Sequence, residues 1–409
     1  MRACLFAPLL AAIPSLAFAG PLTFEGALKQ AQATAPSLKA RSLGADAARS
    51  ARGAAGALPD PTLSVGVDSF PISGPLAFEP GRDDFTMARV GISQEFPNLA
   101  KRHAQQARAD TDIAAADADS ALEARNVEVG TALAWINLAY AERRLATLDD
   151  LLARLDRVVG TTPSAVSSGN ARPAQTLAGR QAVAALQDRR AELVSQVARA
   201  RATLTRWTGD ADPQIAGPVP DFAIDAVALK AGLDGQPSIR MIDAQSAKAS
   251  ADVRLAEANR RPDFGVNLAY QRRDPRFGDY VSAGVTISLP TFTRRRQGAD
   301  ISAAQAQAGR VAAEREAARR ALTADLDADL ADHVMHHEQW MRARDTLQPL
   351  AEQRVRLETA SYGAGRASLV DIGDAYAGLA DATLTTLERE AMVAADGARL
   401  SLTYRSADQ

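Results

Sequence analysis

Two stretches of this chain, Gly91-Ile-Ser-Gln-Glu-Phe-Pro97 and Gly284-Val-Thr-Ile-Ser-Leu-Pro290, share one pattern. Each ends a segment in which apolar and polar residues alternate, as in a β-strand with one apolar face. Each stops at a proline, and a long helical pattern then begins with basic residues, Lys101-Arg102 in one copy and Arg294-Arg295-Arg296 in the other. We therefore expect a strand joined directly to a very long helix, twice in one chain.

The duplicated joint predicts an internal two-fold repeat. The first repeat is expected over residues 20–208 and the second over residues 225–409, with the Gly- and Pro-containing residues 209–224 as a linker. Each repeat is predicted to contain a helix, two strands, a very long helix, a turn and a return helix. The opening helices are expected over about 23–57, with Thr23 as the N-cap, and 226–260. Both are expected to stop at a proline, in Leu58-Pro59-Asp60 and Arg261-Pro262-Asp263.

The predicted strands are long enough to cross a lipid bilayer. They are expected over about 61–70, 84–96, 263–272 and 280–289. About ten alternating residues are what a tilted transmembrane strand requires, although an ordinary sheet lying on a core shows the same alternation. Four strands cannot close a barrel, and open strand edges do not occur in lipid. We therefore expect several copies of the chain to close one barrel together.

The long helices are the second unusual feature. No proline occurs between Asn98 and Gly160, which at about 1.5 Å per residue allows roughly 95 Å of helix. Apolar residues recur there at spacings of three and four, at Leu138, Ala141, Leu145, Leu148, Leu152, Leu155 and Val159. A second long helix is expected from about Thr291 to Tyr362, with a similar seam at Trp340, Ala343, Leu347, Leu350 and Leu357. Such seams fit either a plain helical bundle or a helical tube continuous with a barrel.

Composition and the N-terminus indicate where the chain resides. The 47 basic and 49 acidic residues nearly cancel, which gives no reason to expect a nucleic-acid partner. Residues 1–19 have the layout of a secretory signal peptide, with Arg2, an apolar run and Ala17-Phe18-Ala19 at the end. A membrane anchor fits less well because Pro14 interrupts a run that is already too short. The single cysteine, Cys4, lies in this segment, so we expect no disulfide, no thiolate metal site and no lipidated cysteine in the mature chain.

The sequence gives no support for an enzyme. It contains no nucleophile elbow, no H-E-x-x-H pair, no Walker loop and no dinucleotide-binding glycine motif. Four acidic residues spread round the first long helix and are interpreted as a solvated face: Asp110, Asp112, Asp117 and Asp119. We therefore expect neither catalysis nor a cofactor.

Three of the four histidines cluster with two methionines. The cluster comprises His333, Met335, His336, His337 and Met341. A helix would place His333, His337 and Met341 on one face, and imidazole with thioether ligands suits a soft metal such as copper or silver. His333 and His336 also continue the apolar seam, so packed or solvent-facing histidines are the competing interpretation.

The leader, the duplicated joint and the turn Gly365-Arg-Ala-Ser-Leu-Val-Asp371 together resemble the TolC family of outer-membrane efflux proteins. The resemblance covers essentially the whole mature chain. Gln94-Glu95-Phe96-Pro97 followed by Lys101-Arg102 is most similar to the heavy-metal branch, the CzcC-like and CusC-like partners of RND pumps. The resemblance implies an α+β membrane protein. Its homotrimer would form one 12-stranded outer-membrane β-barrel, four strands per protomer, continuous with a periplasmic α-helical barrel.

The same resemblance implies partners and an entrance. The partners are outer-membrane lipid, a periplasmic adaptor (membrane fusion) protein and an inner-membrane RND pump. Acidic residues of the second turn ring the periplasmic aperture in this family, and the matching positions are Asp371 and Asp374, although acids near a helix start also serve as ordinary caps. The chain departs from the family at Gln175, which is acidic in the best-known members. It departs again at Ala367, where their arginine falls, with Arg366 beside it.

From these observations we expect a passive channel whose bore is lined by the polar strand positions. The predicted lumen residues are Ser64, Asp68, Arg89, Ser93, Glu95, Asn267 and Gln271. The predicted lipid-facing residues are Val90, Ile92, Val285 and Ile287. The alternative is a periplasmic coiled-coil adaptor that conducts nothing, but adaptors usually carry one helical hairpin flanked by compact β domains.

Overall fold

The computed structural model of the protein describes residues 20–160, 173–291 and 293–405. The predicted signal peptide and residues 161–172, where the turn of the first repeat is expected, lie outside the described residues. Contacts divide the chain into two compact units. We call Met1–Ala35, Asn126–Ile224 and Ala328–Thr403 the helical unit, and Pro36–Arg125, Asp225–Asp327 and Tyr404–Gln409 the strand unit. Each unit takes segments from both predicted repeats, so neither repeat folds as a compact body by itself.

Prolines divide the two opening helices that the sequence predicted as continuous. The first is α1 (Phe24–Thr34) and α2 (Pro36–Ala54), and the second is α5 (Ala226–Ala231), a 3₁₀ turn and α6 (Pro237–Ala258). A proline lacks the N–H that a helix interior needs but fits its first position, so a new helix starts at each. Thr23 caps α1 as predicted, because its hydroxyl accepts the Gly26 N–H at 3.1 Å.

The first long helix is confirmed, and the second differs in its start and its continuity. Helix α3 (Leu99–Gly160) starts two residues after Pro97, and the return helix α4 covers Pro173–Thr208. Helix α7 (Gln297–Arg342) starts later than Thr291, the predicted position. A π-helical turn at Ala343–Leu347 then leads into α8 (Gln348–Gly363), where Pro349 cannot donate a helical hydrogen bond. Helix α9 (Leu369–Thr403) ends the described fold.

The π-helical turn moves the second apolar seam by one residue. Leu347, Leu350 and Leu357, predicted as seam residues, are 45–60% exposed. The residues of α8 that pack against the buried core are Ala351, Val355 and Tyr362. A π turn holds one residue more than an α turn and therefore rotates the packing face of everything after it. The predicted second seam is therefore wrong from Leu347 onward, whereas Ala343 is fully buried as predicted.

The helical unit has the apolar core that the first seam predicts. Leu138, Leu148 and Leu155 are fully buried, where they pack against side chains of α4 and α9. The predicted linker, residues 209–224, has no helix but is not a free connection. Its Ile215 forms a parallel bridge with Leu22 in this core.

The strand unit contains one antiparallel sheet in the order β1-β2-β3-β4. The strands are β1 (Thr62–Asp68), β2 (Met87–Phe96), β3 (Phe264–Arg272) and β4 (Tyr280–Ile287), each slightly shorter than predicted. β1 stops at Asp68 because Ser69 has a φ of 58°, which a strand cannot continue. The central pair β2–β3 joins the two halves of the sequence, and β1 and β4 are the edges.

Ion pairs connect the helices of the strand unit. The four acids interpreted as a solvated face of α3 are partly exposed, and each also has a cationic partner on α2 or α6. The pairs are Arg52–Asp110, Lys248–Asp112, Arg49–Asp117 and Arg41–Asp119. The acids remain about 37–59% exposed, so each pair stabilises the fold only weakly, by roughly 0–1 kcal/mol.

Among the helices of the described ranges, none is both long and apolar enough to cross a membrane.

Candidate functional site

The register of the sheet separates an apolar face from a polar face. Leu63, Ile92 and Leu268 lie opposite one another across three strands, as do Val65, Val90 and Tyr270. These six side chains are 46–75% exposed, and Val285 on the same face of β4 is 69% exposed. An exposed apolar surface of this extent marks a face that contacts protein or lipid.

The seven predicted lumen residues share the opposite face of the sheet. Ser93 lies between Thr62 and Asn267, and Arg89 lies between Gly66 and Gln271. The Arg89 guanidinium is 3.7 Å from the Asp68 carboxylate. Ser64 and Glu95 fall on the same face by their register. The geometry thus brings the predicted polar residues together on one face of the sheet.

Small residues keep the polar face close-packed. A Cβ at Gly91 would lie 2.9 Å from Ser64 Oγ and 3.3 Å from Ala269 Cβ. A Cβ at Gly284 would lie 2.5 Å from Asn267 Oδ1. Larger residues at these two positions would therefore displace the polar side chains beside them.

One carboxylate holds the joint between β2 and α3. The N–H and Nδ2 of Asn98 donate to Asp263 Oδ1 at 2.8 and 2.9 Å, and Lys101 Nζ lies 3.1 Å from Asp263 Oδ2. Asn98 Oδ1 accepts the Lys101 N–H at 2.9 Å and so caps the first turn of α3. Asp263 immediately precedes β3, so the β2–β3 pairing delivers it to the start of α3.

The charge of Asp263 follows from this arrangement. Partial burial acts to raise the pKa of Asp263, but the hydrogen bonds from Asn98 and the contact with Lys101 outweigh it and hold the pKa below its usual value. The sequence predicted Pro262-Asp263 as the stop of a helix and residue 263 as the start of a strand, but not as a contact of the joint. The available signal was that Pro-Asp recurs at Pro59-Asp60, before the first strand.

At the second turn, Asp371 is a helix-capping residue. Its Oδ2 accepts the N–H and the hydroxyl of Ser368, both at 2.7 Å, and these bonds lower the pKa of Asp371, assisted by the nearby charge of Arg354. Asp374 and Arg366 are exposed. Gln175 falls in α4, and its side chain lies outside the described residues. Of the residues predicted at the periplasmic aperture, Asp371 thus forms a local helix cap. Arg354, whose charge acts on Asp371, is a cation that the sequence did not predict for this group.

The structure places two of the three predicted metal ligands beside each other and gives the third another partner. His333 and His337 are neighbours, with ring centroids 6.5 Å apart, but the Met341 sulfur accepts a hydrogen bond from Arg344 at 3.2 Å. A guanidinium beside that sulfur disfavours a bound cation. His336 instead pairs with Asp396 at 2.7 Å. Within the described part of the chain, no group of three or more His, Cys, Asp or Glu side chains is arranged to hold a metal ion.

A sheet with one exposed apolar face, joined at its strand ends to very long helices, is the architecture of outer-membrane efflux channels. The family model described as "Outer membrane efflux protein" matches residues 27–210 and 229–403, so the chain belongs to this family. The predicted resemblance to the TolC family is thereby confirmed.

Named relatives support the heavy-metal branch. The chain is 24% identical over 381 residues to the cobalt-zinc-cadmium resistance protein CzcC of Cupriavidus metallidurans, covering 90% of this chain and 86% of CzcC. It is 25% identical over 245 residues to the nickel-cobalt-cadmium resistance protein NccC of Alcaligenes xylosoxydans xylosoxydans, covering 58% and 56%. A crystal structure of CusC matches with a TM-score of 0.78 at 13% identity, covering 94% of this chain and 92% of that one. The last match shows a common fold.

Replacing Asp263 tests the joint. Asp263→Asn is expected to lower the free energy of unfolding at pH 7 by about 1–3 kcal/mol, because two N–H donors and Lys101 lose a charged acceptor. A carboxylate with a lowered folded pKa stabilises the fold above the ordinary aspartate pKa, and this contribution is lost as the pH falls through the lowered value. The difference in Tm between the wild type and the variant, measured in detergent, should therefore narrow from pH 7 to about 3. A difference in Tm that does not change with pH would contradict a role for the charge of Asp263.

Proposed function

We propose that the protein is the outer-membrane exit duct of a tripartite RND-type efflux system and that it conducts substrate passively. The observation that carries this proposal is the sheet, with its continuous exposed apolar face on one side and its polar residues on the other. Lipid would contact the apolar face, and water and substrate would contact the polar face.

The unpaired edges of the sheet are evidence for a barrel that several copies of the chain form together. Among the described residues, β1 and β4 each have one side without a neighbouring strand. Unpaired backbone groups are costly in lipid, so the edges have to meet other strands. Three copies of the chain would contribute twelve strands to one closed barrel, as the family resemblance implies. The helices would extend this barrel into the periplasm.

The motifs of the sequence include no energy source, so we propose that partner proteins drive the transport. An inner-membrane RND pump would supply the energy, and a periplasmic adaptor protein would connect the pump to the helical end of the duct. Cobalt, zinc, cadmium and nickel appear in the names of the two relatives, so we propose divalent heavy-metal cations as substrates.

At the periplasmic end, Asp371 and Asp374 would form the entrance. In a trimer they would place six carboxylates around a narrow opening, which attracts cations and disfavours anions. The capping bonds of Asp371 to Ser368 are compatible with this role, because its carboxylate keeps its charge.

The alternative function is that of a periplasmic adaptor that bridges the membranes without conducting. The sheet argues against it, since a water-soluble adaptor would have to cover the apolar face that Leu63, Val65 and Val281 expose. Localisation and oligomeric state distinguish the two functions.

A pair of neighbouring substitutions tests the assignment of the two faces. Ile92→Arg is expected to destabilise the barrel by about 2–4 kcal/mol, because it places a charge in lipid, whereas Ser93→Arg should cost far less. The measurement is the yield of heat-modifiable, SDS-resistant oligomer in the outer-membrane fraction. Equal tolerance of both arginines would show that the faces are wrongly assigned. Recovery of the wild type as a soluble periplasmic protein would favour the adaptor function.

Neutralising the entrance acids tests their electrostatic role. Asp374→Asn is expected to reduce cation selectivity in planar bilayers without loss of thermal stability, because the exposed Asp374 makes no capping bond of the kind found at Asp371. Asp371→Asn should reduce both selectivity and stability, because it also weakens the cap at Ser368. Reversal potentials under a salt gradient provide the measurement. Unchanged selectivity in both variants would remove these residues from the entrance.

Deletion of the gene tests the proposed substrate. Loss of the protein is expected to increase sensitivity to cobalt, zinc and cadmium salts more than to dyes or antibiotics, and the wild-type chain should restore growth. The Ile92→Arg variant serves as the non-assembling control. Sensitivity confined to dyes and antibiotics would contradict the metal substrate but leave the channel function standing.

A further inference from the structure

The two β-hairpins have the same register when their flanking prolines are aligned. Leu63 lies opposite Ile92 in the first hairpin, and the corresponding residues Val266 and Val285 lie opposite each other in the second. The next pairs along the strands also correspond. They are Val65–Val90 with Leu268–Ala283, and Val67–Ala88 with Tyr270–Val281. This alignment places Pro59-Asp60 on Pro262-Asp263, and Pro97 on Pro290.

The alignment assigns a counterpart to each residue of the joint. Lys101, which contacts Asp263, corresponds to Arg294, and Asn98 corresponds to Thr291. Asp263 itself corresponds to Asp60. The second joint therefore has a cation at the equivalent place, and the chain contains a matching carboxylate.

Within one chain these two residues cannot meet in the same way. Asp60 precedes β1, whereas Arg294 follows β4, at the other edge of the sheet. Three strand spacings of about 4.8 Å separate those edges, roughly 14 Å in all. Asp60 and Arg294 are both exposed, and neither forms an ion pair with any residue that the structure describes.

The two joints also differ at the start of the helix that follows. The difference is the one expected if the second joint lacks a carboxylate to accept hydrogen bonds. At the first joint Asn98 donates to Asp263 and α3 starts at Leu99. At the second joint the Thr291 N–H donates to Leu289 O, and α7 starts only at Gln297. A helix start whose N–H groups lack acceptors is expected to be irregular.

We propose that Asp60 of a second copy of this chain completes the second joint by pairing with Arg294, as Asp263 pairs with Lys101 inside the chain. This proposal rests on the proposed trimeric barrel and deepens it, because it specifies which residues and which register join the subunits.

The register of the subunit interface follows from the same correspondence. The β2–β3 pairing places Ser93 opposite Asn267, and the counterparts of these residues are Thr286 and Ser64. Thr286 of one subunit therefore lies opposite Ser64 of the next. In this register Val285 meets Val65 and Ile287 meets Leu63, so apolar residues lie beside apolar residues across the interface. A register shifted by one residue would bring apolar side chains to the polar face.

Disulfide trapping tests the register. In a Cys4→Ser background, Ser64→Cys with Thr286→Cys is expected to give a covalent trimer on a non-reducing gel, because residues opposite each other in neighbouring strands lie within disulfide reach. Within one chain the two positions lie on opposite edges, so only an inter-subunit bond can form. Ser93→Cys with Asn267→Cys is the in-chain control, which should form a disulfide without any increase in mass. Ser64→Cys with Ser282→Cys is out of register by four residues, about 13 Å, and should stay monomeric on the gel.

Charge reversal tests the ion pair. Asp60→Arg or Arg294→Glu alone is expected to lower the temperature at which the SDS-resistant oligomer dissociates. The double variant Asp60→Arg with Arg294→Glu should recover most of that loss. Arg296→Glu, which reverses another exposed charge in the same segment, is the matched control and should change the temperature less.

The outcomes separate this inference from the proposed function. A covalent trimer together with rescue by the double reversal supports it. An SDS-resistant trimer that is cross-linked by the shifted pair, or that shows no rescue, overturns it while the channel function stands. A protein that forms the in-chain disulfide yet never assembles in the outer membrane overturns both.

Discussion

The pairing of β2 with β3 is the interaction on which the rest of the structure depends. It is the only strand contact in the described chain that joins the first half of the sequence to the second. It aligns the polar residues of both halves on one face of the sheet. It also delivers Asp263 to the first turn of α3, where the carboxylate holds two N–H groups of Asn98 and the charge of Lys101. The pairing of β2 with β3 therefore also fixes the start of α3, a helix of 62 residues.

The two compact units are stabilised in different ways. The helical unit buries large side chains such as Trp135 and Leu148, and the Trp135 indole donates to Leu22 O at 3.0 Å. The strand unit buries fewer large side chains, among them Ile239, Val311 and Leu326, and exposed ion pairs connect its helices. Since exposed pairs contribute little, the proposed trimeric barrel would supply much of the stability of this unit through contacts with other subunits and with lipid. That proposal agrees with an apolar sheet face that stays exposed among the residues that the structure describes.

The sequence predicted element types better than their continuity. Alternation located all four strands within a few residues, and the spacing of Leu138, Leu148 and Leu155 located a real core seam. The splits at Pro36 and Pro237 were within reach of sequence reasoning, because a proline is tolerated at the start of a helix and disrupts its interior. The π-helical turn before Pro349 was not, because an extra residue in one turn changes the packing face without changing the composition of the segment. The partners of Asp110 and Asp117 lie far away in the chain and could not be read from local charge patterns.

The sequence alone determined the family, the two strand–proline–helix joints and the separation of apolar from polar strand positions. Each of these depends on local spacing, and local spacing is written in the order of the residues. Only the tertiary structure decided that Asp263 closes a joint formed by Asn98 and Lys101, and that the acids of α3 are paired. Those contacts join residues far apart in the chain, and their partners are selected by strand register and helix packing, which periodicity does not specify.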